Sequence, residues 1–203
     1  MSNKIYLTPL WVRLWHVLNA FLFIVLILTG LSLHYVELPL ISFYWSVKLH
    51  DVAGVILTIN YMLFVLGNAV SKNGEYYRLD FKGVGDRLKK QFYYYTQGMF
   101  KGEASPFPVS EERKFNPLQK VTYLVVIYIM LPIICFTGFI MLMPDFFDLS
   151  QFGINATLIN NVSHVVVGFF LLVFIFVHIY LCTLGKTPTS NFKSMVDGYH
   201  EPH

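Results

Sequence analysis

The sequence predicts an all-α integral membrane protein, a four-helix bundle with both termini on the cytoplasmic side. Three observations carry this. Of the 203 residues, 55% are hydrophobic and 13% charged, with a mean hydropathy of +0.54; soluble domains run at roughly 45–50% apolar and about 25% charged. Four apolar stretches are each long enough to cross a bilayer, which takes about 20 residues. Fourteen of the fifteen lysines and arginines fall on one side of those stretches. This composition argues against a soluble domain, a disordered tail, a collagen-like repeat and a nucleic-acid-binding module.

The spans are expected over about 10–34, 50–70, 118–143 and 157–184. Helices are the reading because lipid offers no partner to an open strand edge, and the alternation of barrel strands is absent. The first span has little before it and no small-residue cleavage site, so it reads as an uncleaved anchor. Lys4 and Arg13 lie at its start, nine basic residues lie in the 71–117 connection with Lys120 just after it, and Lys186 and Lys193 follow the last span. Only Lys48 falls on the other side, among Glu37, Asp51, Asp145 and Asp148. The positive-inside rule then makes both termini cytoplasmic in a multi-pass membrane protein. The basic connection also suits anionic lipid.

Within that connection, 83–100 reads as an amphipathic surface helix, with Leu88, Phe92 and Tyr95 at helical spacing beside Arg87, Lys89 and Lys90. Tyr93, Tyr94 and Tyr95 suit the headgroup zone, and Pro106 and Pro108 are expected to end the helix. Outside, the aromatic-rich segments 37–45 and 144–155 are expected to lie along the membrane surface. Pro132 is expected to kink the third span. The 203 residues read as a single membrane domain.

The two cysteines, Cys135 and Cys182, sit inside apolar runs and no C-x-x-C-H occurs. A disulfide scaffold, a thiolate-held iron–sulfur cluster and covalently attached haem are therefore not expected. Seven histidines need another explanation. Ionisable residues inside a membrane are costly and mark function. His16 falls near the inner end of span one, His50 at the outer start of span two and His164 near the outer start of span four. His178 follows fourteen residues later on the same helix. Fourteen residues make nearly four turns and about 21 Å, so His164 and His178 share one face at opposite depths. His178 can meet His16 at the inner depth, and His164 can meet His50 at the outer. Two depth-matched pairs of neutral imidazoles are what two six-coordinate b haems require. A zinc site would gather its ligands at one depth.

Alternatives stay open at individual residues. His34, also at the outer end of span one, competes with His50 as ligand or serves a haem propionate. Gly54 and Gly168 each follow a proposed ligand by four residues, and Gly30 follows His16 by fourteen. These glycines either let a flat macrocycle approach or serve close helix packing. Arg13 is either a partner of inner-haem propionates or a topology signal, and Lys48 is the outer counterpart. His200 and His203 carry no signal.

The segment from Arg13 to His16, followed by Leu28-Thr-Gly30, resembles the first span of the cytochrome b subunits of bacterial respiratory complexes. This group includes the nickel–iron hydrogenase cytochrome b, the formate dehydrogenase gamma subunit and the thiosulfate reductase cytochrome b. The segments from His50 to Gly54, from Phe115 to Lys120 with Thr137-Gly138, and His164 with His178 to Leu181 resemble the other three spans. The resemblance implies two b haems as cofactors, with His16 and His178 as ligands of the inner iron and His50 and His164 as ligands of the outer. It implies a menaquinone or ubiquinone site near Asn116, Gln119, Lys120 and His178; Asn116 before Pro117 also suits a helix N-cap. It implies a partner subunit carrying iron–sulfur clusters or c-type haem, together with a catalytic subunit, so that electrons cross the membrane between that partner and the quinone pool. Nothing in the residues selects one branch. A free-standing superoxide:quinone oxidoreductase of the cytochrome b561 type, and a non-redox carrier whose histidines sense pH or bind an ion, are the other readings.

Overall fold

The computed structural model describes residues 4–35, 37, 40–78, 80–147 and 154–200. Asp148, His203 and half of the outer 144–155 segment therefore lie outside the described residues. Two two-residue strands, β1 (Ile5–Tyr6) and β2 (Tyr199–His200), pair antiparallel. The helices are α1 (Leu10–His34), α2 (Phe43–Val70), α3 (Val84–Tyr93), α4 (Pro117–Val125), α5 (Leu131–Leu142), α6 (Ile154–Cys182) and α7 (Ser190–Asp197). Among the described residues, four stretches are long and apolar enough to span a membrane: Leu10–His34, Phe43–Val70, Pro117–Leu142 and Asn155–Cys182. The chain is thus an all-α membrane protein.

Two of the spans begin for identifiable local reasons. The carbonyl of Pro9 accepts from the backbone N–H groups of Val12 and Arg13 and so opens α1. Asn116 and Gln119 form a reciprocal capping box at the start of α4: Asn116 Oδ1 accepts from the Gln119 N–H at 2.9 Å, and Gln119 Oε1 accepts from the Asn116 N–H at 3.2 Å. Pro117 then occupies the first helical position, where no N–H is needed. A π-turn, Val126–Met130, joins α4 to α5 directly before Pro132. Proline has no N–H to give the carbonyl four residues back, so the hydrogen-bond register shifts there.

Two local expectations are revised, and one element is new. α2 begins at Phe43, seven residues before His50, because Ser46 ties back to Ser42 and Ile41 and extends the helix through the interfacial aromatic residues. Tyr44 and Trp45 thus stand on the first turn of α2. The surface helix ends at Gly102, four residues before Pro106: Met99–Lys101 tightens to a 3₁₀ turn and Gly102 adopts a left-handed φ of 74°. Lys72–Tyr77 forms a further 3₁₀ helix.

The chain divides into two compact units. One comprises Leu14–Val65 and Tyr128–His178. Its buried side chains include Leu22, Phe23, Leu57, Phe64, Leu131 and Leu171, together with the polar Thr29, Ser32, Ser46, Asn60, Thr137 and Asn160. In lipid each polar group needs an internal partner, and these have one. Thr29, Ser32 and Thr137 bond back to helix carbonyls. Trp15 Nε1 donates to the Asn60 carbonyl at 3.1 Å, and the Trp15 ring stacks on Phe64 at 3.8 Å. Leu14, Phe21, Met62 and Phe176 face outward and are exposed, which suits hydrocarbon surroundings. The other unit comprises Met1–Arg13, Leu66–Ile127 and Ile179–His203. Gln91 and Asn116 are buried in it.

Candidate functional site

All four paired histidines lie in the first of these units. α1 carries His16, α2 carries His50, and α6 carries both His164 and His178. The rings of His16 and His178 have centroids 6.1 Å apart, with planes at 50°. Those of His50 and His164 lie 6.3 Å apart, with planes at 66°. His34 is exposed and rests edge-on against Tyr35 at 4.8 Å. The outer ring facing His164 is therefore that of His50.

This spacing fits a metal between two imidazoles. Two in-line metal–nitrogen bonds of about 2 Å each, plus the distance from each nitrogen to its ring centre, separate the centroids by about 6–6.5 Å. Direct stacking of imidazoles would bring them closer. A ring turns freely about such a bond, so the interplanar angles of 50° and 66° are both compatible.

The surroundings of the outer pair repeat. Thr29 Oγ1 lies 2.9 Å from His50 Nδ1, and Thr137 Oγ1 lies 3.0 Å from His164 Nδ1. The glycine after each threonine lies against the same ring. A Cβ at Gly30 would sit 3.4 Å from His50 Cε1, and one at Gly138 would sit 3.0 Å from His164 Cε1. Gly138 thus makes room for a histidine ring, while the contact at Gly30 is the looser of the two. Gly54 is different: a Cβ there would meet nothing within 4 Å, which leaves space beside the helix one turn beyond His50. At Gly168 the added atom would meet Ile134 Cδ1 at 3.8 Å, an ordinary contact. At the inner pair, Phe174 stacks on His178 at 5.6 Å and Trp15 stands edge-on to His16 at 6.4 Å.

The threonines escaped sequence reasoning as histidine partners. The available signal was the repetition of Thr-Gly in spans one and three, at 29–30 and 137–138, with one outer histidine in each following span.

Of the remaining residues singled out in the sequence, Arg13, Asn116, Gln119 and Lys120 lie in the other unit, and Lys48 lies in the first. Asn116 is buried, and beyond its capping box its Nδ2 donates to the Tyr95 hydroxyl at 2.8 Å. Burial raises the Tyr95 phenol pKa, and the Asn116 bond opposes that shift. Lys120 is partly exposed in the first turn of α4. Arg13 Nη1 donates to the Val196 carbonyl, while its Nε is buried with no hydrogen-bond partner. That orphan donor fits an anionic group such as a carboxylate. Lys48 is exposed, with its ammonium over the Tyr44 ring at 5.7 Å. No cluster of three or more histidine, cysteine or acidic side chains suited to a bare metal ion occurs among the described residues.

Comparison with known proteins places the chain in a cytochrome family. The family described as prokaryotic cytochrome b561 matches residues 7–198. The chain is 43% identical over 199 residues to a protein named "Putative cytochrome YdhU" from Escherichia coli (strain K12), covering 98% of this chain and 76% of that protein. Membership of a cytochrome family sets aside the non-redox carrier and implies haem b as the cofactor. The chain belongs to the prokaryotic cytochrome b561 family, and it is a membrane b-type cytochrome of electron transfer.

Proposed function

We propose that the chain is a diheme membrane subunit that carries electrons between a partner redox subunit and the quinone pool. The observation that carries this is the pair of ring separations, 6.1 Å for His16 with His178 and 6.3 Å for His50 with His164. His164 and His178 stand about 21 Å apart along α6. Each pair would supply two neutral imidazole nitrogens to one haem b, inner and outer respectively. A bound haem b supplies reversible one-electron exchange at its iron.

The chain's own residues do the rest. The apolar faces of the four spans exclude water and hold the two ligand pairs at fixed depths. The open space beside Gly54 suits the edge of a flat macrocycle. Arg13, one turn before His16 on α1, has a spare buried donor for an inner propionate. Quinone, menaquinone or ubiquinone, is assigned to the cytoplasmic end near Asn116, Gln119, Lys120 and His178; that assignment rests on the resemblance to respiratory cytochrome b subunits. The partner is an iron–sulfur or c-type cytochrome subunit on the outer face, with a catalytic subunit beyond it. The skewed basic residues support cytoplasmic termini in a bacterial inner membrane.

A second reading, a free-standing cytochrome b561-type superoxide:quinone oxidoreductase, is favoured by the family description alone. Purification from membranes in mild detergent separates the two. Redox subunits identified by mass in stoichiometric amounts support the complex; a haem-containing chain that purifies alone and reduces quinone with superoxide supports the enzyme.

A further inference from the structure

The outer histidines are each held by a hydroxyl whose only proton is already used. Thr29 Oγ1 lies 2.7 Å from the Val25 carbonyl and 3.3 Å from that of Leu26. Thr137 Oγ1 lies 2.7 Å from the Ile133 carbonyl and 3.2 Å from that of Ile134. A carbonyl oxygen only accepts, so each hydroxyl proton points back into its own helix. The threonine oxygen then has only lone pairs to offer the ring nitrogen at 2.9 or 3.0 Å. A neutral imidazole carries one N–H, and the bond made by one nitrogen decides the state of the other. With Nδ1–H donating to threonine, Nε2 keeps its lone pair.

We propose that Thr29 and Thr137 are positioning residues for the outer centre: they fix His50 and His164 in the Nδ1–H tautomer and so turn both Nε2 lone pairs toward one iron. This rests on the haem reading above. Gly30 and Gly138 belong to the same device, because each lies against the ring that its neighbouring threonine holds. Two helices, α1 and α5, thereby orient ligands carried by two others, α2 and α6. An acceptor on the distal Nδ1–H raises the basicity of the ligand. A more basic ligand stabilises the oxidised, more positively charged iron, so the two threonines hold the potential of the outer centre down.

The test is an optical redox titration of the purified haem-loaded chain, with electron paramagnetic resonance of the oxidised form. Wild type is expected to show two b-type transitions, and the one surviving His16→Ala is assigned to the outer centre. Thr29→Val and Thr137→Val keep the branched shape and remove the acceptor. Each is expected to raise the outer transition and shift its ferric g-values, leaving the inner transition in place. Thr29→Ser and Thr137→Ser restore the hydroxyl and are expected to restore both readouts. Loss of the outer haem in the valine variants, with retention in the serine variants, supports the proposal equally. Unchanged transitions and g-values in the valine variants overturn it, as does a serine variant that behaves like its valine counterpart. A wild-type chain without two b-type transitions overturns the diheme reading itself.

Discussion

Gly138 and His164 approach so closely that a Cβ on the glycine would lie 3.0 Å from Cε1 of the imidazole. The neighbour there is a ring already held through Nδ1 by Thr137, so it has little freedom to retreat. At Gly30 the corresponding gap to His50 is 3.4 Å, an ordinary contact. The outer pair is therefore more sensitive to bulk at α5 than at α1.

Gly138→Ala is expected to displace the His164 ring, with overpacking of the order of 1–3 kcal/mol. The expected result is a chain that inserts normally and retains only the inner haem, measured as haem per protein. Gly30→Ala is expected to keep both. Gly54→Phe separates ligand space from packing space: no atom lies within 4 Å of an added Cβ, so yield should hold while outer haem content falls. Full haem content in Gly54→Phe would place the macrocycle elsewhere.

Asn116 has two roles to separate. Its Oδ1 caps α4, and its Nδ2 reaches Tyr95. Asn116→Ala should cost about 1 kcal/mol for the cap alone and lower the thermal midpoint. Asn116→Asp keeps the cap acceptor, so its midpoint should stay near wild type while quinol oxidation falls severalfold. Retained quinol oxidation in Asn116→Asp would reduce the residue to a helix cap.

Lys114 lies outside the spans, and burial holds its ammonium down to about 8, from an ordinary 10.5. Its Nζ donates to Asn73 Oδ1 at 3.3 Å and lies 5.6 Å from the Tyr76 and Phe115 ring centres, contacts that offset only part of the desolvation. Between pH 8 and 10.5 the folded chain binds fewer protons at this site than the unfolded chain. Its contribution to stability therefore rises with pH across that window and is level below it. Thermal midpoints of wild type should show this rise, and Lys114→Gln should flatten it. The same slope in both proteins would contradict the assignment.

The four spans were legible because hydrocarbon imposes length and polarity on every residue of a helix. The histidine pairing was legible because His164 and His178 share one helix, and fourteen residues return to nearly the same face. Helix ends were less so. α2 continues to Phe43 past the hydrocarbon edge, where hydropathy stops reporting and the Ser46 bonds decide. The surface helix ends on the left-handed Gly102, whose conformation composition does not reveal. The role of Thr29 and Thr137 was out of reach, because a hydroxyl in an apolar helix first satisfies its own backbone. Only the cross-helix distance brings each hydroxyl to a histidine ring nitrogen.

The most direct measurement is haem per chain in wild type and in single histidine variants, read from reduced-minus-oxidised spectra. The account predicts two b haems in wild type. His16→Ala and His178→Ala should each leave the same single haem, His50→Ala and His164→Ala should each leave the other, and His34→Ala should leave both. A colourless wild-type chain, or two haems persisting in any of the first four variants, would contradict it.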